Sequence, residues 1–372
     1  MKIDKKIILP FCALIALATV FCSAGVKSPE KRKSGGPITS FATVRTVELY
    51  DKLQKVEGSG VLFGHHFTNV SGRHFSDWKQ IQGLSDVKTA TGDYPAMFSF
   101  DFGQGFSRML PAVRKAWELG GVVTISYHME NPHGDSRSSY VVDAARREVS
   151  EILPGGKRHE FLTSRLDSVA SFASRAVVNG EKMPIIFRPW HEHTGNWFWW
   201  GTESCSQEEF AALWRFTVEY LRDVKRADNL LYAFSPSQPA DREDGYLTRN
   251  PGPEWFDIAG FDCYKTTDFA DAFGRNITVT SAYAARHGKI AACTEFGYRK
   301  GIQNTSQRDW YTKEFLNTLR KAPGGEKIVY AVTWTNSANS GWVPLQGDPT
   351  YPGFLDLYND PYSLFLQEWK KQ

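Results

Sequence analysis

The stretch "MPIIFRPWHE", residues 183–192, changes character halfway along. Met183 to Phe187 form a near-continuous apolar run, the pattern of a parallel strand covered on both faces and not of one that alternates between core and water. Then Arg188, Trp190, His191 and Glu192 arrive together. A buried strand that ends in reactive side chains fits one architecture above others, the barrel whose functional groups gather at the C-terminal ends of its strands.

Seven further runs repeat the design: "GVLFGHH" (60–66), "AMFSFDFG" (96–103), "GVVTISYH" (121–128), "LLYAFSP" (230–236), "IAGFDCY" (258–264), "KIAACTEFG" (289–297) and "IVYAVTWTN" (328–336). Taken in chain order, the eight runs end in His65 and His66, Asp101, Tyr127 and His128, His191 and Glu192, Ser235, Asp262 and Tyr264, Glu295, and Trp334 and Asn336. Their opposite ends carry hardly any titratable groups. Amphipathic patterns separate them: "FLTSRLDSVASFASRAVV" places Leu162, Leu166, Val169, Phe172 and Val177 on one stripe, and "EEFAALWRFTVEYLRDV" does so with Phe210, Leu213, Thr217 and Leu221. The closing "PYSLFLQEWKKQ" places Pro361 where a first helical turn accepts proline. Eight strands, each followed by a helix, predict an α/β fold, the (β/α)8 TIM barrel. A doubly wound open sheet is the alternative, but no GxGxxG follows the first run.

Glu192 ends the fourth run and Glu295 the seventh, so they face each other across the barrel mouth. A glycosidase needs such a pair, one carboxylic acid to protonate the leaving oxygen and one carboxylate to attack the sugar or activate water. The blander reading makes both of them half-buried ion-pair partners. Tyr264 and Arg188 are placed to keep Glu295 ionised, while the apolar surfaces of Trp190 and Trp197 are expected to raise the pKa of Glu192. His191 and His193 could ligate a metal with His65, His66 or His128, but HExxH is absent and no metal or other cofactor is expected. The tryptophans suit a sugar, whose C–H face lies on aromatic rings. Trp197 and Trp334 are favoured as ligand contacts; Trp199 and Trp200 fit core and cleft equally well.

"RPWHEHTGNWFWWG" (188–201) resembles the acid/base motif of the family 26 glycoside hydrolases, mainly β-mannanases, and "TEFGY" (294–298) resembles their nucleophile motif. "SYHMENP" (126–132), "GFDCY" (260–264) and "VTWTN" (332–336) match further family segments in the same order. The resemblance implies a retaining double displacement with Glu192 as acid/base and Glu295 as nucleophile. It also implies that His191 helps hold the nucleophile and that His128, Trp197, Tyr264 and Trp334 line the subsite of attack. His193 stands where relatives often carry asparagine and Phe261 where tyrosine is common; both departures are expected to bear on subsites, not on the chemistry.

The implied activity is hydrolysis of β-1,4-linkages in mannan, galactomannan or glucomannan, by internal cuts or by release of mannobiose. A mixed-linkage β-glucanase or β-1,3-xylanase is the alternative within the family, and a noncatalytic carbohydrate-binding barrel is the alternative outside it. Long segments after the third run (129–160) and the eighth (337–360) could wall off one end of a cleft.

With 372 residues, 41% of them hydrophobic and 23% charged, and a formal net charge of +3, the chain reads as a globular domain. No basic stripe points to nucleic acid, and a monomer acting on a neutral polysaccharide is expected. Lys2, Lys5 and Lys6 precede an apolar run, Ile7 to Phe21, and small residues around Ala24, which reads as a secretory signal over 1–24 and not as a membrane span. Lipidation at Cys22 is the alternative, with Phe21 a poor context for it. Export to the periplasm, the cell surface or the medium follows. Residues 25–38 read as a flexible leader and 39–372 as the catalytic barrel, with no separate binding module. Cys205, Cys263 and Cys293 are expected to be buried thiols.

Overall fold

A computed structural model describes residues 35–134 and 138–372. The expected signal segment and residues 25–34 of the leader lie outside them. Each apolar run becomes a strand: β1 Val61–His66, β2 Met97–Asp101, β3 Val122–Ser126, β4 Ile185–Arg188, β5 Leu230–Phe234, β6 Ile258–Lys265, β7 Ile290–Tyr298 and β8 Ile328–Thr333. Every strand pairs in parallel with its sequence neighbours, and β8 returns to β1 through Gly64↔Val332, which closes the barrel. Gly64 makes this closure possible, since a Cβ there would stand 2.7 Å from Val332 and 2.8 Å from Met97.

Helices coat the barrel after seven of the eight strands. One of them, Gln207–Glu219, starts at a capping box, with Ser206 and Glu209 bonding each other's backbone N–H, and buries Phe210, Leu213 and Thr217 as their spacing predicts. It runs on as a wider π-turn, Tyr220–Val224, which buries Leu221. The expected helix after β5 is absent. Three 3₁₀ turns, Pro239–Asp241, Gly245–Leu247 and Pro253–Trp255, replace it.

Two further expectations are corrected. The helix His159–Arg175 buries Leu162, Leu166, Val169 and Phe172 but stops before Val177. Val177–Val178 pair instead with Glu181–Lys182 around Asn179 and Gly180, whose φ values of 50° and 83° are those of a tight hairpin turn. Pro361 does not begin a helix either; Ser363 and Leu364 join β1 as a short parallel strand, and the last helix is Leu366–Lys371. That pairing buries Phe365, which stacks on Phe63 at 4.9 Å, so burial of an aromatic ring outweighs the local helical preference.

Ile38, read as the end of the leader, is buried and donates its N–H to Asp257 at 2.6 Å. Cys205, Cys263 and Cys293 are buried free thiols. Among the described residues no helix is long and apolar enough to cross a membrane.

Candidate active site

The geometry begins with a fault in the sheet. Phe261 aligns with Cys293, yet Asp262 aligns with Glu295, so β7 holds one extra residue, Thr294. Such a bulge re-aims the side chain that follows it. The Thr294 hydroxyl bonds the Phe261 carbonyl at 3.0 Å and Asp262 Oδ1 at 2.6 Å. Gly260 opposite makes room for it, because a Cβ there would lie 2.6 Å from Thr294 Cγ2.

Glu295 then meets two donors, as its neighbours predict. Arg188 at the end of β4 donates one guanidinium nitrogen to Glu295 and the other to Asp262 at 2.9 Å and Ser235 at 3.1 Å. Tyr264 donates its hydroxyl to Glu295 Oε2 at 2.8 Å. Burial raises the Asp262 carboxyl well above its usual range, against the pull of Arg188. The two buried carboxylates in turn hold the Arg188 proton tightly, although burial opposes this.

Glu192 lies past the end of β4 on a strained turn. Trp190 and Glu192 have φ of 51° and 53°, left-handed values that cost a non-glycine residue about 1–2 kcal/mol. The Glu192 N–H is anchored on the Ser235 carbonyl at 2.8 Å, and Trp190 is pinned by its indole N–H to Thr217 at 3.0 Å. Burial first, and the charge of Glu295 second, push the Glu192 carboxyl up to about 7. The direction matches expectation; the reason does not. Trp197 donates its indole N–H to Glu192 Oε2 at 2.8 Å and works against the shift, while Trp190 turns its ring into the core.

One oxygen each from Glu192, Asp262 and Glu295 lie within 4.8 Å of one another. Three acids could hold a cation, but the Arg188 guanidinium already sits among them and engages two. The glutamates open into a cleft of about 360 Å³, and His128, His191, Trp197, Tyr264 and Trp334 all line it. Every expected site residue is therefore brought to one place. His191 Nε2 meets His128 Nε2 at 3.2 Å; no hydrogen bond joins it to Glu295 among the described residues, so Arg188 and Tyr264 do the direct holding. Trp334 stacks on His66, ring centroids 4.2 Å apart.

Trp199 and Trp200 are core residues, with indole N–H groups on the Met129 and His191 carbonyls. His193 stacks on Phe210 at 4.2 Å and Phe261 packs on Phe273. Both are buried outside the cleft, so neither departure from the family pattern touches a subsite directly. Tyr127 is likewise packed behind the barrel wall, against Phe102 and Phe106.

Sequence reading missed Tyr140, Phe198, Ser237, Gln238, Arg299 and Trp342 in the lining. Ser237, Gln238 and Arg299 lie a few residues past β5 and β7, within reach of the strand-end rule. Tyr140 and Trp342 stand on the two long loops, where no periodicity marks them; Tyr140 is held by a bridge to Phe198.

An acid near neutrality facing a carboxylate held by arginine and tyrosine, at the mouth of a closed parallel barrel, defines a (β/α)8 glycoside hydrolase. The sequence profile of Glycosyl hydrolase family 26 matches residues 38–335, and the chain belongs to that family. A mannan endo-1,4-beta-mannosidase of Bifidobacterium adolescentis is 32% identical over 85% of this chain, which spans only 34% of that relative's length. One from Bacillus subtilis is 26% identical, with 88% of this chain and 96% of the relative covered. Among solved structures, a modular endo-beta-1,4-mannanase from Cellulomonas fimi matches with a TM-score of 0.83 and 34% identity, over 90% of this chain and 78% of that one.

Proposed function

We propose that the chain hydrolyses β-1,4-mannosidic bonds of mannan, galactomannan or glucomannan with retention of configuration. The observation that carries this reading is the spacing of Glu192 and Glu295, whose oxygens approach within 4.8 Å. A retaining pair stands about 5–5.5 Å apart, whereas an inverting pair needs about 6.5–9.5 Å to admit water between them. The names of the relatives supply the sugar.

In the first step the Glu295 carboxylate attacks the anomeric carbon while Glu192 gives its proton to the departing glycosidic oxygen. A glycosyl ester on Glu295 results. In the second step Glu192 takes a proton from water, which attacks the same carbon and releases Glu295. Arg188 and Tyr264 orient the attacking carboxylate; Trp197 orients Glu192. His128, His191 and Trp334 border the sugar.

The test uses azide and an aryl β-mannobioside whose phenolate leaves without protonation. Glu192→Ala should accumulate the ester until azide, which needs no base, releases a β-azide product. Glu295→Ala should instead give the α-azide by direct attack. NMR showing one anomer from both variants, or the two exchanged, overturns the assignment. Hydrolysis of mixed-linkage glucan or β-1,3-xylan in place of mannan would retain the mechanism and discard the substrate. Early thinning of a mannan solution, before many reducing ends appear, marks internal cutting.

We also read residues 1–24 as an export signal, on the strength of the three lysines and the apolar run that follows. Intact mass from the native host tests this: a product beginning at Gly25 or a lipidated Cys22 supports export, and one beginning at Met1 refutes it.

A further inference from the structure

We infer that Asp101 is a positioning residue which fixes one proton between His128 and His191, so that the two imidazoles form a proton switch beside the glutamates and coupled to them by charge. Asp101 ends β2 and is buried. Its Oδ2 accepts from the Ser126 hydroxyl at 2.6 Å, from His128 Nδ1 at 2.7 Å and from the His128 backbone N–H at 3.1 Å; its Oδ1 accepts from the Gly103 N–H at 2.7 Å. A carboxyl surrounded by donors is an anion. His128 must therefore carry its proton on Nδ1.

The other nitrogen then poses a strict choice. His128 Nε2 and His191 Nε2 are 3.2 Å apart. Two N–H groups cannot point at each other, and two bare lone pairs would repel, so a single proton lies between them. His128 is an imidazolium donating to a neutral His191, or both rings are neutral and His191 donates, or His191 is the imidazolium and donates to a neutral His128, which would put the charge on the ring that has no carboxylate beside it.

The surroundings choose the first arrangement. Asp101 is the anion in contact with His128, and Glu295 across the cleft adds attraction, while burial and Arg188 act against it; the outcome is a raised His128. Among the described residues His191 makes no ion pair, and it is held well below its usual range by burial, with Arg188, His128, His66 and His193 adding to it. His66, at the end of β1, bonds Ser99 at 2.8 Å and is also held neutral, by burial. Glu192 faces His128 as well and is stabilised by its charge. When the shared proton is lost at higher pH, His191 must move its own proton from Nδ1 to Nε2 to keep the contact. His191 Nδ1 is buried without a hydrogen-bond partner, so the imidazolium on His128 holds an unpaired N–H on His191, and the change of tautomer relieves that cost.

The test is nitrogen NMR on the full chain labelled with ¹⁵N-histidine, His128 being assigned through His128→Gln. The native protein should show His128 protonated on both nitrogens at pH 6.5, the ordinary value for histidine, and His191 bare at Nε2. A His128 bare at Nε2 there, with His191 protonated at that atom, overturns the inference, and this arm needs no variant of Asp101. In Asp101→Asn the shared proton should leave about 1–3 pH units lower, the range expected for loss of an adjacent charge. Ser126→Ala retains the charge and should leave the titration in place; an unmoved titration in Asp101→Asn refutes the positioning role.

The kinetic arm alone rests on the proposed hydrolase activity. A dinitrophenyl β-mannobioside needs no proton from Glu192, so an alkaline limb of its kcat/KM that moves with the NMR transition is assigned to the histidine pair. That limb should fall with the NMR transition in Asp101→Asn. A limb that stays while the NMR transition moves uncouples the switch from turnover, and absence of turnover in the native protein indicts the proposed function instead.

Discussion

Glu192 stands where three penalties meet: a left-handed backbone, burial, and a second carboxylate within reach. Each opposes ionisation or the local conformation, and together they hold an acid near neutrality. On mannan, Glu192→Gln should remove the part of the alkaline limb that Glu192 sets, leaving only the part that the histidine pair imposes. Trp197→Phe should move that limb upward, because the indole N–H favours the ionised form and its removal raises the pKa further; a downward shift would contradict the contact. The same raised value predicts a pH-dependent stability. Glu192 binds its proton in the folded chain up to about 7 but only to 4.5 in the unfolded one, so its contribution is complete below 4.5 and is lost as the pH rises through 7. Denaturation by urea should accordingly find Glu192→Gln gaining on the native chain between pH 4.5 and 7, and no further above it.

At this scale the sequence is partly legible at the strand ends. The rule that barrel strands finish in function put His128, Glu192, Tyr264, Glu295 and Trp334 among the candidates, but it equally named His65, Tyr127, Ser235 and Asn336, which lie outside the cleft lining, and the resemblance to the family made the selection. The polarity of Trp197 toward Glu192 did not follow from its type, since an indole offers both an apolar face and a donor and only geometry decides between them.

Among the elements, the long helices and all eight strands follow from periodicity, whereas their ends follow from local chemistry. The Asn179–Gly180 turn was written in the sequence as the strongest short hairpin signal, but a continuing apolar stripe through Val177 masked it. The bulge at Thr294 left no such trace; it is a property of how β6 and β7 align. The capping box of Gln207–Glu219 offers a clean test of element stability away from the cleft. Ser206→Ala should lower the unfolding free energy by about 1 kcal/mol, read by chemical denaturation, with kcat and KM unchanged.

For the molecule as a whole, buried histidines govern acid tolerance. His65, His66, His191 and His193 are all depressed by burial, His65 to about 3. A lowered histidine resists protonation only while folded, so each withdraws stability as the pH falls below 6.5. Glu192 and Asp262, both raised by burial, act in the opposite sense over this range, but they are two against four, and the contribution of His128 is already complete below 6.5. The melting temperature should drop by about 10 °C or more between pH 6.5 and 4, and a flat profile would show that these rings find protons or partners in the folded state. No sequence pattern separates such histidines from cleft residues, because His193 and His191 are two positions apart and differ only in what packs on them.

The helix missing after β5 has a kinetic consequence. Residues 235–257 borrow their anchors from elsewhere: Arg249 reaches the Trp200 and Cys205 carbonyls, Trp214 holds the Trp255 carbonyl, Arg215 the Pro251 carbonyl and Lys289 the Phe256 carbonyl. A segment with no ladder of its own cannot settle until the helices Gln207–Glu219 and Phe269–His287 that flank it are already in place. It should therefore dock last during refolding and exchange its amide hydrogens first in the native state. Since Ser237 and Gln238 reach the cleft from this segment, catalytic competence should return after the tryptophan fluorescence of the core has already recovered, so that a chain can look folded before it can cut.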